Sequence, residues 1–344
     1  MDQPVMIKDG VYWIGALDPG LVVFDIVIPT KHGTTYNAYL VKGEKIAVIE
    51  TVKSYCVDGF ISKIRSLVRP EDIDYIIINH TEPDHSGGLI RLMELAPNAI
   101  PVFSRGARTF VKNILHKEFD YKEVKAGDSI DLGGKVLKFI SAPFLHWPDT
   151  MFTYLETDKI LFPCDAFGSH YCSDKRFNDE LDSKEDAFTA YEFYYDTILR
   201  PFKKHVIAAL DNIKDIDIDI IAPSHGPILR ENINKYIDAY REWAGKTKKY
   251  PDKKKIAIIY VSSYGSTQKM AESIYRGACQ PDTDVSLLNA AEIEMDSLLD
   301  EIDAADGIIL GTPTLNAKAP KPIFDIISSL VTLNIRGKAA AVFG

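Results

Sequence analysis

Between residues 80 and 85 the chain reads His-Thr-Glu-Pro-Asp-His, which sets four potential metal ligands (His80, Glu82, Asp84 and His85) within six positions. They follow directly on Tyr75-Ile76-Ile77-Ile78. A strand that buries its side chains and then delivers imidazoles and carboxylates at its tip is a common way to build a metal site. Three more candidates each follow an apolar run of their own: His146 after residues 136–140, Asp165 after 160–162 and His225 after 218–221. A single histidine at a strand end is usually structural, and Asp84 could cap a helix starting near Ser86. The shared placement of all seven favours a metal centre.

Four histidines and three carboxylates suffice for two ions. By proximity along the chain, His80, Glu82 and His146 would serve one ion and Asp84, His85 and His225 the other, with Asp165 bridging. Each ion then keeps an open position for a small molecule. Mixed nitrogen and oxygen ligation without thiolate suits iron or manganese, whereas a zinc hydrolase would take more imidazole. A carboxylate at position 82 adds negative charge that stabilises the ferric state. The other histidines (His32, His116, His170 and His205) read as structural, with His170 also a candidate to hold a ligand in place.

Positioning these groups requires a full-sized scaffold. The 344 residues are enough for two cores, and 46% hydrophobic with 26% charged residues is a globular profile. A net charge of −9 argues against nucleic acid or an anionic membrane as partner. No apolar run is long enough to span a bilayer, and the first residues lack the features of a secretion signal. The four cysteines (Cys56, Cys164, Cys172 and Cys279) form no C-x-x-C pair. This excludes a rubredoxin-type site within the chain and suggests a reducing cytoplasm. Cys164 reads as a buried apolar thiol.

Short strands dominate the first stretch, at 11–14, 22–28, 37–41 and 46–49; helical patterns follow at 59–68, 88–95, 106–115, 187–199 and 232–243. That order predicts a sheet-rich sandwich flanked by helices over residues 1–250. A basic, polar connector at 245–255 comes next. From 255 to 344 strands at 256–261, 285–288, 307–310 and 339–343 alternate with helices at 267–278, 292–302 and 323–330. That is a doubly wound α/β pattern.

Residues 1–250 resemble the metallo-β-lactamase αββα sandwich, and the H-x-E-x-D-H form of the motif resembles the flavodiiron proteins (type A flavoproteins). The likeness extends to Gly33-Thr34-Thr35-Tyr36-Asn37-Ala38-Tyr39, to Leu145-His146-Trp147-Pro148-Asp149-Thr150, to Cys164-Asp165-Ala166-Phe167-Gly168 and to Pro223-Ser224-His225-Gly226. The resemblance implies a non-haem diiron site that reduces dioxygen, nitric oxide or both. It implies a tyrosine near the open side of the metals, matched to Tyr195. It also implies a head-to-tail homodimer, or a dimer of dimers, that brings one protomer's flavin to the other's irons. Asp25 stands where some relatives carry a histidine.

In the second region Ser262-Ser263-Tyr264-Gly265-Ser266-Thr267 links the first strand to a helix, where backbone N–H groups, hydroxyls and the helix dipole could bind a phosphate. A Ser/Thr-rich turn is equally explained by helix capping. Gly311-Thr312-Pro313-Thr314-Leu315-Asn316-Ala317 follows the third strand, next to the expected switch point. Both loops resemble the FMN loops of flavodoxins. Four strands are counted where a flavodoxin has five, so this unit is expected to be C-terminally incomplete and to hold FMN weakly or not at all. Electrons would come from a separate donor, such as a rubredoxin-like protein or a reduced deazaflavin. A zinc hydrolase on the same scaffold and a non-catalytic gas sensor or electron carrier are the rival expectations.

Overall fold

A computed structural model of the protein describes residues 3–116, 119–245 and 253–344. The chain divides into two units, Met1–Ala244 and Gly245–Gly344. Of the expected connector, residues 246–252 lie outside the described residues.

In the first unit a seven-stranded sheet runs in the order Val5–Lys8, Val11–Trp13, Tyr39–Lys42, Ile46–Ile49, Tyr75–Ile78, Ile100–Ser104, Lys122–Val124. Its first four strands pair antiparallel and its last four parallel. A second sheet orders Ser129–Asp131, Val136–Ser141, Met151–Leu155, Ile160–Phe162, Ile220–Ile221. Alternation along the strands sorts residues between two cores. Tyr39, Val41, Ala47, Ile49 and Ile77 meet Leu137, Phe139, Leu155 and Phe162 between the sheets. Leu40, Val48, Ile76 and Ile78 point the other way, onto Phe60, Ile64 and Leu92 of the flanking helices. A strand buried on both faces must be apolar at every position, which accounts for the unbroken run at 75–78. Each fully buried isoleucine contributes about 1.5–3 kcal/mol. The result is an αββα sandwich whose strand tips carry the candidate ligands.

Local differences from the sequence reading have physical causes. Residues 22–28 are not one strand but a tight hairpin, Val23–Phe24 against Ile28–Pro29. Its turn residues Asp25 (φ 46°) and Ile26 (φ 68°) are both left-handed, which a β-branched residue seldom tolerates. The helix expected at 187–199 starts earlier, at Lys184, where Ser183 accepts the Asp186 N–H. After Tyr194 it widens into a π-type turn, Tyr195–Leu199, before Pro201 ends the regular pattern. Asp84 is no cap: it lies inside the short helix Pro83–Ser86, with proline at the first turn.

The second unit is a parallel sheet in the order Thr283–Asn289, Lys254–Tyr260, Gly307–Gly311, Ala339–Phe343. Ala257, Ile259 and Ile308 pack on Leu298, Ile302, Ile323 and Ile326 of the helices Met295–Ala304 and Lys321–Ser329. On the opposite face Ile258 and Tyr260 meet Ala271 and Ile274 of the helix Ser266–Ala278. Helices on both faces and the strand order 2-1-3-4 make it doubly wound and flavodoxin-like.

Candidate metal centre

Four strand ends converge on one buried point. His80 follows Tyr75–Ile78, and the helix Pro83–Ser86 then presents Asp84 and His85. His146 stands in the loop before Met151–Leu155, Asp165 follows Ile160–Phe162, and His225 follows Ile220–Ile221. His80, Asp84, His85, Asp165 and His225 are at most 4% exposed. The side chains of Glu82 and His146 keep 14% and 19% exposure and form the mouth of the site.

Asp165 divides the seven side chains into two groups. Its Oδ1 lies 3.1 Å from His85 Nε2 and 3.3 Å from His225 Nε2. Its Oδ2 lies 3.5 Å from His80 Nε2 and 3.6 Å from His146 Nε2. Glu82 Oε2 closes the second group, 3.1 Å from His80 Nε2 and 3.0 Å from His146 Nε2. Asp84 closes the first, with Oδ2 3.1 Å from His225 Nε2 and Oδ1 3.4 Å from His85 Nε2. The groups His80, Glu82, His146, Asp165 and Asp84, His85, His225 each have donor-atom spacing suited to one ion.

The donors also need cations. Both Asp84 oxygens, His85 Nε2 and Asp165 Oδ2 are buried without a hydrogen-bond partner. Leaving carboxylate oxygens so would cost several kcal/mol unless positive charge meets them. Burial opposes charge on His146 and His225, yet Asp165, Glu82 and Asp84 outweigh it and hold these imidazoles up at about 10 and about 9. Asp165 is likewise held well below the usual carboxylate range, burial being outweighed by His85, His146 and His225. The site thus favours positive charge at the point the four Nε2 atoms face.

Outer contacts set the imidazole orientation. His80 Nδ1 lies 3.3 Å from Asp149 Oδ1, while Asp149 Oδ2 accepts the Thr81 N–H at 2.8 Å and hydroxyl at 2.6 Å. His225 Nδ1 donates to the Thr35 carbonyl at 2.6 Å. His85 Nδ1 faces Glu50 Oε2 at 3.7 Å and the buried Cys164 Sγ at 4.0 Å. Burial pushes the Glu50 carboxyl up to about 7 against the pull of His85. Sequence reasoning missed Glu50 and Asp149, although Glu50 follows an apolar strand just as His80 does.

The chain's relatives carry the same two parts. The family model described as ODP family beta lactamase matches residues 34–226, and the flavodoxin model residues 258–344. A flavo-diiron protein of Clostridium acetobutylicum is 42% identical over 99% of this chain and 86% of its own. A nitric oxide reductase of Moorella thermoacetica is 37% identical over 100% of this chain and 86% of its own. The solved structure of rubredoxin oxygen:oxidoreductase from Desulfovibrio gigas superposes with a TM-score of 0.78 at 28% identity, over 99% of this chain and 85% of that one.

The chain is a flavodiiron protein.

In this flavodiiron chain the tyrosine beside the candidate ligands is Tyr194 rather than the expected Tyr195. Tyr194 is 1% exposed and its hydroxyl donates to Asp165 Oδ1 at 3.1 Å. Tyr195 instead packs its ring on Tyr240 at 5.0 Å and Trp243 at 5.1 Å. The reason is helical phase. Tyr191 and Tyr195, four residues apart, share the face turned to Tyr240, and Tyr194 is rotated toward His170 and His225.

The expected flavin loops sit at the carboxyl ends of two adjacent parallel strands, paired at Tyr260 and Gly311. Ser262 Oγ accepts the Gly265 N–H at 3.0 Å, and Gly265 takes φ 80°. No side chain caps the helix Ser266–Ala278, which leaves its first-turn N–H groups to meet a phosphate. Thr267 is buried, whereas Tyr264 is 95% exposed; Ser263 and Ser266 complete the loop. In the second loop the Thr312 hydroxyl donates to the Pro313 carbonyl at 3.0 Å. Thr314, Leu315 and Asn316 are exposed, with Asn316 at φ 50°. This arrangement fits FMN.

Proposed function

We propose that this protein reduces dioxygen to water and/or nitric oxide to nitrous oxide at a non-haem diiron centre, with electrons passing through FMN from a separate donor. The observation that carries the reading is Asp165, whose two carboxylate oxygens each face a different histidine pair. The names of the Moorella and Desulfovibrio relatives, a nitric oxide reductase and an oxygen:oxidoreductase, agree with it.

A bound iron pair would supply open coordination and one electron per ion, and a bound flavin two electrons more. The chain's own residues do the rest. His80, Glu82, His146 and Asp165 Oδ2 would hold one iron; Asp84, His85, His225 and Asp165 Oδ1 the other. Asp165, facing both histidine pairs, would fix how far apart the two groups hold their ions. Tyr194 fixes that carboxylate and keeps its hydroxyl beside the reacting pair. Burial of the five inner ligands excludes bulk water. Ser262, Gly265 and Thr267 with the following helix would seat the FMN phosphate, and Thr312 to Asn316 would border its ring.

Electrons would reach the flavin from a separate donor, such as a rubredoxin-like protein or a reduced deazaflavin. A head-to-tail homodimer, or a dimer of such dimers, would bring flavin and iron of different protomers together. A fully active monomer in sedimentation would rule that out. No helix among the described residues is long and apolar enough to cross a membrane. The four free cysteines suit a reducing cytoplasm. A zinc hydrolase loses ground to the carboxylate-rich ligand set and the flavodoxin-like unit. Iron, zinc and flavin analysis, with oxygen and anaerobic nitric oxide consumption under supplied reductant, tests the whole. Two irons, weakly held flavin and sustained consumption with added FMN are expected; two zincs from iron-replete cells would return the hydrolase.

A further inference from the structure

Glu50 is a carboxylate in an unfavourable setting. It directly follows the strand Ile46–Ile49, is 1% exposed, and takes a left-handed backbone at φ 62°. That conformation is unfavourable for a residue other than glycine. Oε1 accepts the Asn79 N–H at 2.8 Å, but Oε2 has no hydrogen-bond partner. A buried carboxylate oxygen left so is costly. The group it faces is His85 Nδ1, at 3.7 Å, an ion-pair distance.

Asp149 offers a comparison on the other motif histidine. Its charge is spread over His80 Nδ1 and two donors of Thr81. Glu50 receives one backbone N–H besides His85 and so directs more of its charge at the imidazole. His85 Nε2, the far side of that ring, points at Asp84 and Asp165.

We propose that Glu50 is a positioning residue of the metal centre, acting through His85. Facing Nδ1, it keeps Nε2 turned inward and makes the imidazole a stronger donor to the ion shared with Asp84 and His225. The inference rests on the two-ion reading of the site.

Cobalt(II) titration of the metal-free protein against a competing chelator tests it, with the ligand-field bands as a second readout. The parent should bind two cobalt ions. Glu50→Gln should weaken one site by about 10- to 100-fold and shift its bands, while far-ultraviolet circular dichroism stays that of the parent. Glu50→Asp keeps the charge but withdraws it by one carbon. It should weaken the same site at least threefold, and it decides the matter if the glutamine variant does not fold. Cys279→Ser, at an exposed position of the second unit, should leave both sites as they are. Binding by both Glu50 variants within twofold of the parent would overturn the proposal. So would a third cobalt ion lost in both Glu50→Gln and Cys164→Ser, since Glu50, His85 and Cys164 would then be ligands themselves. A parent that binds no pair of ions would instead refute the two-ion reading.

Discussion

Replacing Tyr194 by phenylalanine removes one hydroxyl and almost nothing else. The ring stays against His170 at 4.8 Å and His225 at 5.9 Å, in a position only 1% exposed, so water has no access to take the hydroxyl's place. What is lost is a 3.1 Å hydrogen bond to an ionised, buried carboxylate, Asp165. Such bonds contribute about 1.5–3 kcal/mol, and about 2 kcal/mol is a factor of roughly 30 in an equilibrium constant. Because Asp165 faces both histidine pairs, the loss should appear as faster escape of iron to a chelator, about 30-fold, and as lower turnover per iron. Tyr195→Phe is the control, since its ring packs on Tyr240 and Trp243 away from the ligands. It should leave iron retention within twofold of the parent. If the two variants lose iron at equal rates, or Tyr194→Phe retains it like the parent, the reasoning from hydroxyl to bridging carboxylate is wrong.

Gly226→Ala should destabilise the first unit by about 2–5 kcal/mol, because φ is +77° and the added Cβ would stand 2.1 Å from Ser169 Oγ and 2.7 Å from Ser169 O. Denaturant midpoints check this, and iron content should fall with it, since His225 is the preceding residue. Stripping the metals should lower the melting midpoint of the Met1–Ala244 unit alone; at a thousandfold excess over Kd each site contributes about 4 kcal/mol. Calorimetry with and without chelator would show it, and an equal fall in the second unit would contradict it. His170 is held down at about 3, first by burial and then by the charge of His225. A depressed histidine keeps its full stabilisation above its unfolded value near 6.5. It loses about 1.4 kcal/mol per pH unit as pH falls from there toward 3. His170→Asn should flatten the stability profile between about pH 4 and 6 by one proton, and an unchanged slope would refute the assignment.

Several candidate ligands could be read from residue order because His80 and Asp165 follow runs that are buried almost throughout. Tyr75–Ile78 is apolar throughout, so the polar residues after it had to lie at its tip. Tyr194 was hidden by its neighbour. Two adjacent tyrosines on a helix differ by about 100° of rotation, and only the docking of Tyr191 and Tyr195 on Tyr240 decides which one turns inward. The hairpin at Asp25 and Ile26 was read as strand because isoleucine and valine favour extended backbone. Burial of Phe24 and Ile28 on either side holds the unfavourable turn in place. Glu50 and Asp149 escaped notice for another reason. A carboxylate that backs an imidazole has no spacing rule of its own, and its role exists only once separate strands have met.

Unequal burial of the seven candidate ligands gives the centre a direction. Asp84, His85 and His225 are sealed, while Glu82 and His146 touch solvent. An ion reaching the deeper group from the exposed side would pass Glu82 and His146, so the inner place would fill early and empty late. Protein caught midway through assembly would therefore hold its single ion at Asp84, His85 and His225.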